Sequence, residues 1–240
     1  MQGDMSVDLF REWINECRKI VFFGGAGVST ESGIPDFRST DGLYNQTYKY
    51  PPETILSHRF FERHTEEFYE FYRRKMIPTG ARPNAAHIKL AEWEREGKLS
   101  AVVTQNIDGL HQAAGSKKVF ELHGSVHRNH CMRCGKFYGI EAVTDSTGVP
   151  KCECGGIIKP DVVLYDEMLD NDVIEGAVSA IADADMLIIG GTSLTVYPAA
   201  GFVEIYSGHR LVLINKTETS YDRRANLIFR QNIGQLLSSI

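Results

Sequence analysis

The sequence predicts an α/β protein, a parallel sheet flanked by helices with a smaller cysteine-rich insertion. Three observations carry this. Short apolar runs at 19–23, 101–103, 119–120, 162–165, 186–189, 210–215 and 227–229 alternate with segments of helical spacing, the pattern of strands buried on both faces. Several runs end in small or hydrogen-bonding residues: Gly24-Gly-Ala-Gly27, Gln105-Asn-Ile-Asp108 and Gly190-Gly-Thr-Ser193. Open α/β sheets bind ligands there, beyond the carboxyl ends of their strands. Between 125 and 160, apolar content drops and Cys, Gly, His and Lys dominate. A chain of 240 residues accommodates one large domain with such an insertion.

In chain order, Val7, Leu9, Phe10, Trp13, Ile14 and Cys17 recur at helical spacing, with Ser6 as N-cap and Cys17 as inert core. Strand 19–23 runs into the glycine turn, and 28–32 opens a helix. Residues 32–52, rich in Gly, Pro, Asp, Ser and Tyr, form a long loop of the kind that usually carries function. The segment 60–76 is helical and crowded with aromatics, better read as a packing face than as a ligand box. A further helix spans 84–96, with Gly97 as its C-cap. Strand 101–103 leads through a polar tip into a short helix, and the run 119–120 delivers His123 to a similar sheet edge. After the insertion come strand 162–165, helix 170–182, strands 186–189, 210–215 and 227–229, and a closing helix over 231–240.

Composition narrows the function. A net charge of −5 argues against a general nucleic-acid binder. The first residues lack the basic and apolar regions of a secretory signal, and no apolar run approaches membrane-spanning length. Four of the five cysteines cluster between 131 and 154, which suits a reducing compartment and a metal rather than disulfides. The expectation is a cytoplasmic protein that binds neither membrane nor nucleic acid.

The chemistry gathers at three places. His123, facing Gln105, Asn106 and Asp108, is a candidate general base; helix capping at Asp108 plus a surface histidine explains the same residues equally well. Gly24-Gly-Ala-Gly27 suits a pyrophosphate, yet position 30 is Thr and no acidic residue follows a second strand about 20 positions on, so a dehydrogenase is disfavoured. Thr192, Ser193 and Asn215 add polar strand ends to one shared dinucleotide crevice. Cys131-x2-Cys134 and Cys152-x-Cys154, 17 residues apart, favour a closed structural zinc site, with His127 and His130 as lower-ranked substitutes.

Several motifs together resemble the sirtuin family of NAD-dependent protein deacylases. They are Gly25-Ala-Gly-Val-Ser29, Ser32-Gly-Ile-Pro-Asp-Phe-Arg38, Thr104-Gln-Asn-Ile-Asp108, Leu122-His-Gly124, the two cysteine pairs, Lys159-Pro-Asp-Val-Val163 and Gly191-Thr-Ser-Leu-Thr-Val-Tyr-Pro198. The likeness runs over roughly residues 5–240, and the short insertions look bacterial or archaeal. It implies a Rossmann-like NAD-binding domain over 1–34, 85–124 and 160–240, a cofactor loop and helical module over 35–84, and a zinc ribbon over 125–159. It also implies roles. Gly25, Ala26, Gly27, Asp36, Phe37 and Arg38 would lie on the NAD loop. Gln105, Asn106 and Asp108 would contact the nicotinamide ribose and its pocket, Asn106 and Asp108 belonging with His123 to the catalytic set. Thr192, Ser193 and Asn215 would hold phosphate and adenosine ribose. Phe37, Ile107, Val163, Val196 and Tyr197 would line the substrate site, Val163 pairing with peptide backbone as a strand.

The implied reaction is deacetylation of protein lysine with cleavage of NAD, giving free lysine, nicotinamide and O-acetyl-ADP-ribose. Its rivals are mono-ADP-ribosyl transfer, a preference for longer acyl chains, and a non-enzymatic zinc-ribbon protein. A monomer acting on acetylated proteins or peptides is expected. This sequence departs from the family pattern at Asp166, where a glycine is usual, and in the short Cys152-x-Cys154 spacing. The Tyr-x-x-Arg pair of the desuccinylating branch is also missing: Tyr72 follows Tyr69 at that spacing, although Arg73 could share a helix face with Tyr69. With apolar tunnel candidates Phe37, Ile107 and Val163, a neutral acyl group is expected.

Overall fold

The structure, a computed structural model, describes residues 2–37, 42 and 48–240. In chain order it contains α1 (Gln2–Glu16), β1 (Ile20–Gly24), α2 (Pro52–Ile55), α3 (His58–Arg63), α4 (Thr65–Lys75), α5 (Ala85–Arg95), β2 (Leu99–Thr104), α6 (Leu110–Ala114) and β3 (Val119–Glu121). There follow β4 (Asn129–Cys131), β5 (Phe137–Tyr138), α7 (Glu141–Thr144), β6 (Ile158–Pro160), α8 (Asn171–Ala182), β7 (Met186–Gly190), β8 (Leu211–Ile214), β9 (Leu227–Phe229) and α9 (Ile233–Ser238).

Among the described residues, six parallel strands form the main sheet in the order β3-β2-β1-β7-β8-β9. The order reverses at β1, so the crevice beyond β1 and β7 is the topological switch point. Alternate strand residues feed two cores. Ile20, Phe22, Val102 and Ile188 pack with Phe10, Leu90, Trp93 and Leu236 on one face. Val21, Phe23, Val103 and Ile189 pack with Ile181, Val203 and Tyr206 on the other. Burial on both faces is why these strands read as continuous apolar runs.

A second body covers the carboxyl edge. The three-stranded antiparallel sheet β5-β4-β6 belongs to the insertion. It shares a core with the helical module, where Phe60, Phe61, Phe68, Tyr69, Phe71 and Tyr72 pack against Val126, Val143, Val162 and Leu164. The aromatic stripe is therefore a packing face, as its spacing predicts.

Four local readings are corrected. Helix α1 runs through Ser6 from Gln2, since residues 2–5 contain no proline, so Ser6 is not an N-cap. The helix expected over 28–32 is two 3₁₀ turns, Ala26–Val28 and Thr30–Ser32; Gly33 (φ 85°) and Pro35 leave it no room to propagate. The helix over 60–76 breaks at His64, where the Thr65 hydroxyl donates to the Phe61 carbonyl (2.8 Å) in competition with the helical ladder. Residues 162–165 join no sheet; the Tyr165 N–H donates to Leu56 O and the Val163 N–H to His123 O.

Two histidines are buried under the site. The Asn84 N–H donates to His87 Nδ1 (3.2 Å) in a capping box, which leaves the ring proton on Nε2, and the His87 and His111 rings lie 4.7 Å apart. Burial pushes His87 down to about 4, against the opposing pull of Asp108, and His111 down to about 3. Both are neutral when folded and titrate near pH 6.5 when unfolded, so below pH 6.5 the unfolded chain binds protons that the native one does not. Stability should hold constant from pH 8 to 7 and fall as pH drops from 6.5 to about 4, by on the order of 3 kcal/mol per histidine. Urea unfolding across that range checks it, and His111→Phe should flatten the slope.

Candidate active site and metal centre

The loops after β1, β2 and β7 interlock at the switch point. The Gln105 N–H donates to Gly24 O (2.9 Å) and the Gly27 N–H to Gly191 O (2.8 Å), while Thr192 Oγ1 donates to Gln105 Oε1 (3.3 Å). A Cβ on Gly27 would meet the Gly191 backbone at 2.7 Å, and one on Gly25 would meet Thr192 Cβ at 2.8 Å. These glycines are thus required first for loop-on-loop packing, a reason different from the pyrophosphate approach read in the sequence. Gln105 Nε2 is a buried donor with no partner among the described residues.

Ser29 is the hub, and sequence reasoning gave it no role even though it lies inside a quoted motif. Fully buried, its hydroxyl donates to Asp108 Oδ2 (2.6 Å) and accepts from Asn106 Nδ2 (3.0 Å). Asp108 Oδ1 accepts from the Leu110 N–H (2.9 Å), so the capping reading of Asp108 holds alongside the polar-site reading. The Asn106 N–H donates to Thr104 Oγ1 (3.0 Å), which sets the turn out of β2.

His123 follows β3 and is half-buried. Its Nδ1 lies 3.0 Å from Gln105 O, a carbonyl that can only accept, so the neutral ring carries its proton on Nδ1 and keeps the Nε2 lone pair. Burial pushes its pKa down, and the bond to Gln105 opposes this only in part. Gly124 has φ 73°, and a Cβ there would collide with Asp161 O, so no other residue fits after the histidine.

The remaining candidates are distributed around this centre. Phe37 and Ile107 pack half-buried against the core that contains Val162 and Leu164, and Val163 is half-buried beside them. Tyr197 is exposed and Val196 half-buried on the loop after β7, where Leu194 has φ 54°. Ser193 is exposed and bonds Thr195 Oγ1, and Asn215 Nδ2 donates to Thr217 O (3.0 Å), closing its own loop. Arg38 lies outside the described residues. Asp166 has φ 72°, a left-handed conformation that explains the usual glycine and that Asp is among the few other residues to tolerate. Glu167 beside it accepts from the Leu164 N–H, His58 and Lys159.

Arg73 is engaged elsewhere. Its guanidinium donates to Val143 O (2.8 Å), Ser146 Oγ (2.8 Å) and Gly148 O (2.5 Å), and the Tyr69 hydroxyl donates to Ile158 O. Both tie the helical module to the insertion.

The four cysteine Sγ atoms lie within 4.8 Å of one another, with Cys131–Cys154 at 3.4 Å and Cys134–Cys152 at 3.6 Å. A tetrahedron with Zn–S of about 2.3 Å has edges of about 3.8 Å, so the set suits zinc. His127 and His130 are not ligands: His127 Nε2 lies 3.1 Å from Asp108 O, and His130 packs edge-on against Phe137. The short Cys152-x-Cys154 turn closes through Gly155 (φ 81°) and Gly156, where a Cβ would meet Cys131 Sγ at 2.7 Å.

Comparison with known proteins agrees with this geometry. The model of the Sir2 family matches residues 25–198. An NAD-dependent protein deacetylase of Clostridium acetobutylicum is 58% identical, covering 98% of this chain and 97% of its own length. One from Cutibacterium acnes is 50% identical, with 98% of each covered. A Sir2 structure with a deacetylated p53 peptide and 3′-O-acetyl ADP-ribose superposes with a TM-score of 0.90 at 41% identity, covering 97% of this chain and 96% of that one. A Sir2 with p53 peptide and NAD+ gives 0.85 at 41% identity, with 96% and 95% covered.

Because the cysteines close the insertion, Cys131→Ser or a strong chelator should cost stability first and activity second. Elemental analysis of reduced protein should show one zinc per chain, and treated samples should melt at lower temperature.

Proposed function

The chain belongs to the Sir2 family and is an NAD-dependent protein deacetylase; we propose that His123 is its general base and that Ser29, Asn106 and Asp108 form the polar frame that orients the reacting ribose. The observation that carries this is the His123 Nδ1 to Gln105 O bond, which leaves Nε2 as a proton acceptor. The products are free lysine, nicotinamide and O-acetyl-ADP-ribose.

Bound NAD supplies an electrophilic ribose carbon whose nicotinamide departs and an ADP-ribose that accepts the acetyl group. The residues that would hold it are Gly25, Ala26, Gly27, Phe37 and Arg38 on the first loop, Gln105, Asn106 and Asp108 on the second, and Thr192, Ser193 and Asn215 on the sheet's other half. Gln105 Nε2, a buried donor without a partner among the described residues, supports this fit. With NAD bound, His123 Nε2 would take a ribose hydroxyl proton while the Nδ1–H stays on the ring and keeps donating to Gln105 O. Phe37, Ile107 and Val163 surround the acyl-lysine and exclude water, and Val163 with Val196 and Tyr197 flank the peptide. The large core carries the NAD site, with the helical module and zinc ribbon as the second domain. Cysteine usage favours a cytoplasmic setting and the net charge of −5 disfavours nucleic acid as a partner, with a monomer as the working form and no membrane partner; among the described residues, no helix is long and apolar enough to cross a membrane.

His123→Ala should lower deacetylation about 10²–10⁴-fold with an unchanged melting temperature. The active form is the neutral ring, so kcat/KM should be level at high pH and fall on the acid side. Burial lowers the pKa, so that fall should have its midpoint below 6.5. Near wild-type turnover in the variant would remove His123 from this role. Mass spectrometry of the substrate, reading loss of acetyl rather than gain of ADP-ribose, separates deacetylation from ADP-ribosyl transfer.

An apolar tunnel penalises a buried carboxylate unless it is paired, and both Arg73 and Tyr69 are committed elsewhere. Acetyl-lysine should therefore outrank succinyl-lysine in kcat/KM on one peptide, with longer aliphatic acyl groups tolerated. Faster desuccinylation would overturn the apolar-tunnel reading.

A further inference from the structure

Asp166 sits in the left-handed region at the tip of the segment that borders the peptide site, where a glycine would be unstrained. Its carboxylate is exposed and makes no ion pair among the described residues. Of the cations on the surrounding elements, Lys159, His58 and Arg128 are committed, while Arg59 on α3 is exposed and makes no ion pair among the described residues. Lys159 Nζ donates to Glu167 Oε2 (3.1 Å) and to Pro160 O and Val162 O. His58 bonds Glu167 Oε1 through Nδ1 (2.8 Å) and approaches Glu62 through Nε2 (3.4 Å). Arg128 is shared between Glu121 (2.6 Å) and Asp161 (2.7 Å).

The same segment, through Val163, Glu167 and Met168, lines a cleft of about 650 Å³ that runs between the insertion and α8. That cleft presents four carboxylates, Glu121, Asp161, Glu167 and Asp170, against the two cations Arg128 and Lys159. Asp166 is thus an uncompensated negative charge beside a net-acidic cleft, on the edge where the substrate backbone lies.

We propose that Asp166 selects acetyl-lysine sites flanked by lysine or arginine, its carboxylate forming a salt bridge with the basic side chain beside the acetyl-lysine. This rests on the deacetylase reading and specifies its substrate class. An exposed ion pair of this kind changes affinity by roughly 2–5-fold, and salt screens it.

The test uses the full zinc-loaded chain with NAD and peptides that differ only in carrying Lys, Gln or Glu at each position flanking one acetyl-lysine. The readout is the ratio of kcat/KM for the Lys and Glu peptides within each enzyme. Wild type should favour Lys roughly 2–5-fold, and 1 M salt should erase the preference. Asp166→Asn keeps a residue that tolerates the left-handed backbone and should bring the ratio to about 1. Asp166→Lys should invert it. A Lys-to-Glu ratio in Asp166→Asn equal to that of wild type, or no preference in wild type, would overturn the proposal. No deacetylation of any peptide by wild type would instead overturn the deacetylase reading on which it rests.

Discussion

A carboxyl group buried with no cation partner among the described residues organises the site. Asp108 is only 8% exposed, and among the described residues it is held by hydrogen bonds from the Ser29 hydroxyl and the Leu110 N–H. Burying such a group is costly unless its oxygens are satisfied. That requirement locks the loop after β1 to the loop after β2. Because Ser29 also takes the Asn106 amide, the two loops have one joint arrangement. His123 is tied to the same place through Gln105 O, and His127 through Asp108 O. Removing the Ser29 hydroxyl would leave both an amide and a carboxylate short of partners, so its effect should spread beyond the loop that carries it.

The second body is held to the first by a different kind of interaction. Its core is aromatic, and Arg73 and Tyr69 bind carbonyls of the insertion, so helical module and zinc ribbon form one unit. Glu167 joins that unit to the segment at 163–167. Burial by itself would raise its pKa, but the Leu164 N–H, His58 and Lys159 together bring it down. His58, on the helical module, is raised in turn by its bond to Glu167. The segment at 163–167 is therefore positioned by backbone bonds to Leu56, His58 and His123 together with the charge-assisted bonds of Glu167.

Among the described residues, only Asp166 and Leu194 combine a side chain with positive φ, and each lies on a loop flanking the crevice. Strained backbone gathers where structure serves binding, and surrounding contacts must hold it in place. Leu194 is buried, and its N–H donates to Thr192 Oγ1, so packing holds it. Asp166 has no such burial, and its neighbour Glu167 fixes the turn instead.

Much of this was legible in the sequence. The strand runs, the switch-point residues, the cysteine set and the α5 boundaries follow from local patterns: burial on two faces makes apolar runs, metal ligands need fixed spacing, and Asn84 with Gly97 marks a helix at both ends. The tertiary structure decided the rest, because those features depend on partners distant in sequence. Ser29 became the hub only when the β1 loop met Asp108, 79 residues away. The short helix expected at 28–32 gave way to 3₁₀ turns, and the strand at 162–165 to bonds with Leu56 and His123. Arg73, ambiguous by helical spacing, was settled by carbonyls 70 and 75 residues along the chain. The sequence by itself determined which groups are available for the chemistry; only the fold decided which of them are left free to perform it, since a hydrogen bond spent on structure cannot also be made to a substrate.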